Sequence, residues 1–169
     1  MKKDLNDFYF STEAKEKLNN PQLMVEELNQ GKVAQEILRV PDRVMAQFYK
    51  AAYELFEEKR YQDASHAFLF LVTLNPDHHE YWLGLGMATQ LNQDYESAID
   101  AYEIAALCDI SSPVPYFYLA KCLFAIHDRE SALHALDLAI ETAAETEEYK
   151  ELKEQAQLAK DILLKNEHQ

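Results

Sequence analysis

Tyr81-Trp82-Leu83-Gly84-Leu85-Gly86, followed by Tyr95, Ala98 and Tyr102, sets the architecture of this 169-residue chain. Moving 34 residues in either direction finds the same residue classes. Trp82 lines up with Phe48 and Tyr116, Leu85 with Ala51 and Leu119, and Gly86 with Ala52 and Ala120. Further on, Ala98 matches Ala64 and Ala132, Tyr102 matches Phe68 and Leu136, and Ala105 matches Leu71 and Ala139. Tyr61 and Tyr95 form a further column that Arg129 breaks. Six columns at one period imply stacked copies of one supersecondary unit. The cause is packing: small side chains let two helices approach, and large ones fill the gap to the next pair.

Composition agrees. The chain has only three glycines and is rich in helix-forming residues, which disfavours hairpin-rich sandwiches, dinucleotide folds and phosphate-binding loops. The 34-residue period and its aromatic, Leu-Gly, small-large-small order are those of the tetratricopeptide repeat. The expected fold is therefore all-α. Three repeats at 45–78, 79–112 and 113–146 form a concave superhelix, with flanking helices over 1–44 and a capping helix over 147–169. Turns are expected at Lys59-Arg60, Asn92-Gln93-Asp94 and His127-Asp128. Asn75-Pro76-Asp77 should end one repeat, with Asp77 and Glu80 boxing the next helix start. Ser112 should cap the helix that opens at Pro113.

The flanks follow no repeat. Tyr149, Leu152, Ala156, Ala159, Ile162 and Leu163 recur at helical spacing and suit a helix closing the stack. Asn20-Pro21 starts a helix running to about Gln30, with Gly31 as its breaker. Ser11 can cap another behind the aromatic cluster Phe8-Tyr9-Phe10. This flank carries more apolar residues than one capping helix needs. Two readings stand: packing on the first repeat, or a homodimer contact.

Charge narrows the partners. The formal net charge is −14, with −1 over residues 1–44, −10 over 45–144 and −3 over 145–169. Such a field repels nucleic acid and anionic membranes. No signal peptide or spanning segment is legible, which points to a soluble intracellular protein. Cys108 and Cys122 read as reduced thiols in apolar segments. No cofactor is expected, and no metal: adjacent His78 and His79 face different ways, with no third ligand in reach. No nucleophile, base or glycine-rich loop forms a catalytic constellation, so the chain is not read as an enzyme.

The repeat surface remains. In this register the second, fifth, ninth and twelfth residues of each first helix line the concave face. They are Ala46, Tyr49, Tyr53 and Phe56; Glu80, Leu83, Met87 and Gln90; then Val114, Phe117, Lys121 and Phe124. Bulky apolar groups where water is expected imply a groove for an apolar extended segment. The N-terminal flank or a second subunit is the competing occupant. Lys121 alone is too few cations for a clamp on a C-terminal carboxylate.

Tyr81-Trp82-Leu83-Gly84-Leu85-Gly86, Cys108-Asp109-Ile110 with Pro113-Val114-Pro115, and Ala120-Lys121-Cys122-Leu123 resemble the class II chaperones of bacterial type III secretion. Tyr49, Tyr53 and Phe56, with Tyr61-Gln62-Asp63-Ala64 and Phe68, are similar to that family's first repeat. The resemblance covers about residues 35–165 and leaves the first 30 outside. It implies a non-enzymatic chaperone of the bacterial cytoplasm that keeps hydrophobic translocator proteins soluble until export. It also implies a peptide-binding groove: Tyr49, Tyr53 and Phe56 form the first pockets, Leu83 and Met87 the middle, and Phe117, Lys121 and Phe124 the far end. Tyr61, Phe68 and Leu71 are read first as core. A scaffold of the secretion machinery that uses its acidic surface is the alternative.

Overall fold

The repeat turns explain how so few glycines suffice. Lys59, Gln93 and His127 all adopt left-handed backbone, at φ 61°, 64° and 66°, and they stand 34 residues apart. Each closes a helix in the same way. The Lys59, Gln93 and His127 amides donate to the carbonyls of Phe56, Gln90 and Phe124, and the next amides reach back to Leu55, Thr89 and Leu123. These contacts satisfy orphan carbonyls at the helix ends.

The computed structural model describes residues 8–144 and 146–165, and those residues divide into two compact units at Asp77 and His78. The first unit holds α1 (Thr12–Asn19), α2 (Pro21–Asn29), α3 (Ala34–Ile37), α4 (Asp42–Glu57) and α5 (Tyr61–Leu74). The second holds α6 (His79–Leu91), α7 (Tyr95–Cys108), α8 (Val114–Ala125), α9 (Arg129–Ala143) and α10 (Lys150–Lys165). Among the described residues there are no strands, and no helix is long and apolar enough to cross a membrane.

In the first unit α4 packs on α5 around Ala52, Ala64, Phe68 and Leu71, all fully buried. Ser11 caps α1 as expected, its Oγ accepting the Ala14 amide at 3.1 Å. Gly31, at φ +84°, follows the end of α2. Helix α3 is held by a buried glutamine. Gln35 Nε2 donates to Asp42 Oδ1 at 2.8 Å, and Asn75 Nδ2 of α5's cap donates to Gln35 Oε1 at 2.9 Å. That side chain ties three helix ends together.

In the second unit α6 packs on α7, α7 on α8, α8 on α9, and α9 on α10. Tyr102 is fully buried at its centre and its hydroxyl donates to Gln90 Oε1 at 2.7 Å. Gly86 is there for space: a Cβ would lie 2.6–2.9 Å from the Tyr102 ring. Asp94 and Asp128 cap α7 and α9, accepting the amides of Ser97 and Ser131.

Two helix starts differ from the expected ones. Helix α6 begins at His79 with His78 as cap, not Asp77, and no side chain caps it. The Asp77 amide instead donates to Asn75 Oδ1 in a local turn, and the His78 ring stacks on Tyr81 at 4.1 Å. Helix α8 begins at Val114, and Ser112 caps nothing. Asp109 organises that loop: its Oδ1 accepts the Ser111 amide and hydroxyl, which holds its carboxyl below the usual range.

Candidate functional site

Two surfaces gather the residues that the repeat register singles out, one in each unit. On α4 the spacing Tyr49, Tyr53, Phe56 puts three rings on one face. Tyr49 and Tyr53 pack edge to face at 5.0 Å, Tyr53 meets Phe56 at 6.3 Å, and Phe56 meets Tyr61 of α5 at 5.5 Å. Buried Phe68 anchors the ladder from below, 5.6 Å from Tyr53 and 6.1 Å from Tyr49. The four outer rings are half-buried, so each keeps a face towards solvent. Edge-to-face pairs fix ring orientation, which makes the ladder a preformed apolar surface.

On α8, Phe117, Lys121 and Phe124 meet at an apolar cavity of 240 Å³, with Ala120, Leu136 of α9, and Ala159, Ile162 and Leu163 of α10 as the other walls. Phe117 is buried and forms the floor. Phe124 and Ile162 are 53% and 51% exposed. The Lys121 ammonium lies 4.3 Å from the centre of the Phe117 ring and 4.8 Å from that of Tyr118. Desolvation by these neighbours lowers its pKa from the ordinary lysine value. Among the described residues it makes no ion pair; the side chain is exposed, and its ammonium lies between ring faces and water. The site thus offers apolar walls and one donor with no carboxylate attached.

Leu83 and Met87 do not line the cavity beneath Phe124. Leu83 is buried in the core of the second unit and half-buried Met87 packs against that core. The contribution of α10 is what the sequence did not assign to the site. Ile162 reads there as part of a cap, although its solvent-facing neighbours Leu158 and Leu164 already make the helix more apolar than a cap requires. Phe48, Trp82 and Tyr116, one column of the repeat, are half-buried.

Nothing in either surface is arranged for bond chemistry. Among the described residues no three His, Cys, Asp or Glu side chains cluster as a metal site. Cys122 is fully buried, and burial pushes its thiol up to about 12, where the nucleophilic thiolate is scarce at neutral pH. The arrangement can bind an apolar segment and donate hydrogen bonds to it.

Comparison with known proteins gives a consistent picture. A tetratricopeptide repeat family matches residues 45–77. Low calcium response locus protein H of Yersinia pestis is 33% identical over 108 residues, which take in 64% of this chain and 64% of that protein. The match therefore spans just under two thirds of that relative's length. Among solved structures, the Yersinia enterocolitica type III secretion chaperone SycD, in complex with a peptide of the translocator YopD, superposes with TM-score 0.72 at 28% identity. That likeness covers 76% of this chain and 98% of SycD. PcrH of Pseudomonas aeruginosa, bound to the chaperone binding region of PopD, superposes with TM-score 0.74 at 25% identity, over 76% of this chain and 96% of PcrH.

Proposed function

We propose, for a chain that belongs to the tetratricopeptide-repeat chaperones of bacterial type III secretion, a purely binding role: cytoplasmic custody of hydrophobic translocators before export. Extended apolar segments of a translocator occupy the Tyr49–Tyr53–Phe56 ladder and the Phe117–Lys121–Phe124 cavity. The observation that carries this reading is the half-open cavity itself, with Phe124 and Ile162 facing water around a ready-made apolar floor. An aliphatic anchor seated there would contribute on the order of 1.5–3 kcal/mol, partly offset by ordering of the segment. Lys121 would donate to a backbone carbonyl or carboxylate of the guest. Leu83 belongs to the same core as Phe117 at the base of that cavity, and Met87 packs against that core. A homodimer through the N-terminal flank belongs to the same reading: Leu18, Val25 and Leu28 of α1 and α2 are exposed there.

Co-expression with the translocators tests it. Phe124→Glu with Ile162→Glu, and separately Tyr53→Glu with Phe56→Glu, should leave a helical chaperone and an insoluble translocator. A translocator kept as soluble by both variants as by the parent chain would refute the assignment.

A further inference from the structure

The second unit carries another concavity, and it shares no residue with the cavity beneath Phe124. Helices α7, α8 and α9 enclose an open groove of 750 Å³. Leu107, Leu119, Leu123 and Leu138 supply its apolar surface, and Glu103 and Glu130 stand among the lining residues. Leu107 is 77% exposed. One exposed leucine is ordinary, but one at the mouth of a leucine-lined groove extends a continuous apolar surface.

The charges around this groove are one-sided. Between Tyr95 and Ala143 the sequence has eight Asp or Glu and two Lys or Arg. Neither base lines the groove: Lys121 lies over Phe117 and Tyr118, and Arg129 donates to the Leu163 carbonyl. Glu103 and Glu130 are both exposed and make no ion pair among the described residues. The groove is therefore apolar in its floor and anionic at its edge, where Asp128 joins Glu103 and Glu130, and no Lys or Arg is among its lining residues, His134 being the one imidazole there.

We infer that this groove is a docking site for a basic amphipathic helix of a partner protein. Two of its walls are helices of 14 and 15 residues, about 21–23 Å long at 1.5 Å per residue, so a helix of similar length can lie along them. Leucine anchors of the guest meet the leucine floor, and its Lys or Arg flanks meet Glu103 and Glu130. Charge selects this occupant over a second copy of the chain, whose own net charge of −14 would set like against like. The site is independent of translocator binding and can be filled at the same time.

Fluorescence anisotropy with the full chain and a labelled Leu/Lys amphipathic helix of about four turns tests the inference. The Leu/Glu version of that peptide should not bind. Glu103→Lys with Glu130→Lys should weaken the Leu/Lys peptide by about tenfold or more, and Leu107→Ser should weaken it by about fivefold. Phe124→Ser with Ile162→Ser should leave that affinity unchanged while abolishing translocator solubility. Binding indifferent to Glu103, Glu130 and Leu107 would overturn the proposal. So would equal loss on changing Phe124 and Ile162, which would place the peptide in the other cavity. A Leu107→Ser chain that sediments as a monomer where the parent is a dimer would also overturn it, by making the groove a self-contact.

Discussion

At the scale of single residues, volume is matched across the helix pair. Fully buried Phe68, Tyr102 and near-buried Leu136 occupy one column of the repeat, and Ala52, Gly86 and Ala120 occupy the facing small column. Glycine appears only where the partner is tyrosine. Gly86→Ala should therefore destabilise the protein by about 1–3 kcal/mol, because the buried ring has no free direction in which to yield the needed space. Pairing it with Tyr102→Leu, the residue of the third repeat, should recover part of the loss in urea denaturation. Equal stability of Gly86→Ala and the parent would show that the close approach is not real. The left-handed turn residues make the opposite case. Gln93 holds a φ of 64° that costs a side chain roughly 1–2 kcal/mol, less the entropy a glycine loses on folding. Gln93→Gly should thus stabilise by about 0.5–1 kcal/mol, read as a rise in melting temperature; a fall would mean that the glutamine side chain makes a compensating contact.

At the scale of elements, the outermost helices of the two units are held by different mixtures of burial and ion pairing. Helices α1 to α3 bury Ala14 and Ile37 and are laced on their surface by ion pairs: Lys17 with Glu27 at 2.6 Å and Glu13 at 3.3 Å, Lys32 with Glu27 at 2.8 Å, and Arg39 with Glu13 at 3.0 Å. The hydrogen bond from Lys17, then that from Lys32, holds the Glu27 carboxyl down at about 2. A depressed carboxylate stabilises fully above its ordinary value of 4.5 and loses that effect as the pH falls towards 2. The difference in amide-exchange protection of α1–α3 between the parent and Glu27→Gln should be constant from neutral pH to about 5 and vanish near 2. A difference that persists at pH 2 would mean the glutamine acts by packing, not charge. Helix α10 is held mainly by burial. Ala156 and Leu163 enter the core while Ile162 faces out, and Lys160 pairs with Asp137 at 2.5 Å. Leu163→Ala should cost about 2–4 kcal/mol of stability. Ile162→Ala should cost much less yet impair translocator binding, and a reversed order in thermal melts would exchange their roles. These elements also show what the sequence could reveal. The period of 34 placed α5 at Tyr61–Leu74 and the turns at Lys59, Gln93 and His127, because local packing repeats with the chain. It also put Tyr49, Tyr53 and Phe56 on one face. The Gln35 latch, the start of α6 and the α10 wall of the cavity were not legible. The latch and the wall depend on residues far apart in sequence, Gln35 with Asn75 and Phe124 with Ile162, while at α6 a local turn at Asn75 takes up the Asp77 that would have capped the helix.

At the scale of the whole molecule, a net charge of −14 sits over surfaces that bury apolar guests, and the two must be separated. An acidic field opposes self-association through exposed Phe124, Leu107 and Ile162, since residues 45–144 carry −10, whereas the flank proposed as a dimer contact carries only −1 over residues 1–44. It gives little to translocator binding if that binding is apolar, because the cavity beneath Phe124 includes no carboxylate. It gives much to a basic helix in the α7–α9 groove. Salt distinguishes the two contributions. The screening length falls from about 10 Å at 0.1 M to about 3 Å at 1 M, while apolar burial is not weakened by added salt. Raising sodium chloride over that range should leave the affinity for a translocator segment within about twofold and reduce that for the Leu/Lys helix by more than about tenfold. Anisotropy titrations of both peptides on the same preparation give the comparison directly. If translocator affinity fell in step with that of the basic helix, the anionic surface and not the aromatic cavity would be holding the guest, and Lys121, the one cation at that cavity, would be a bystander.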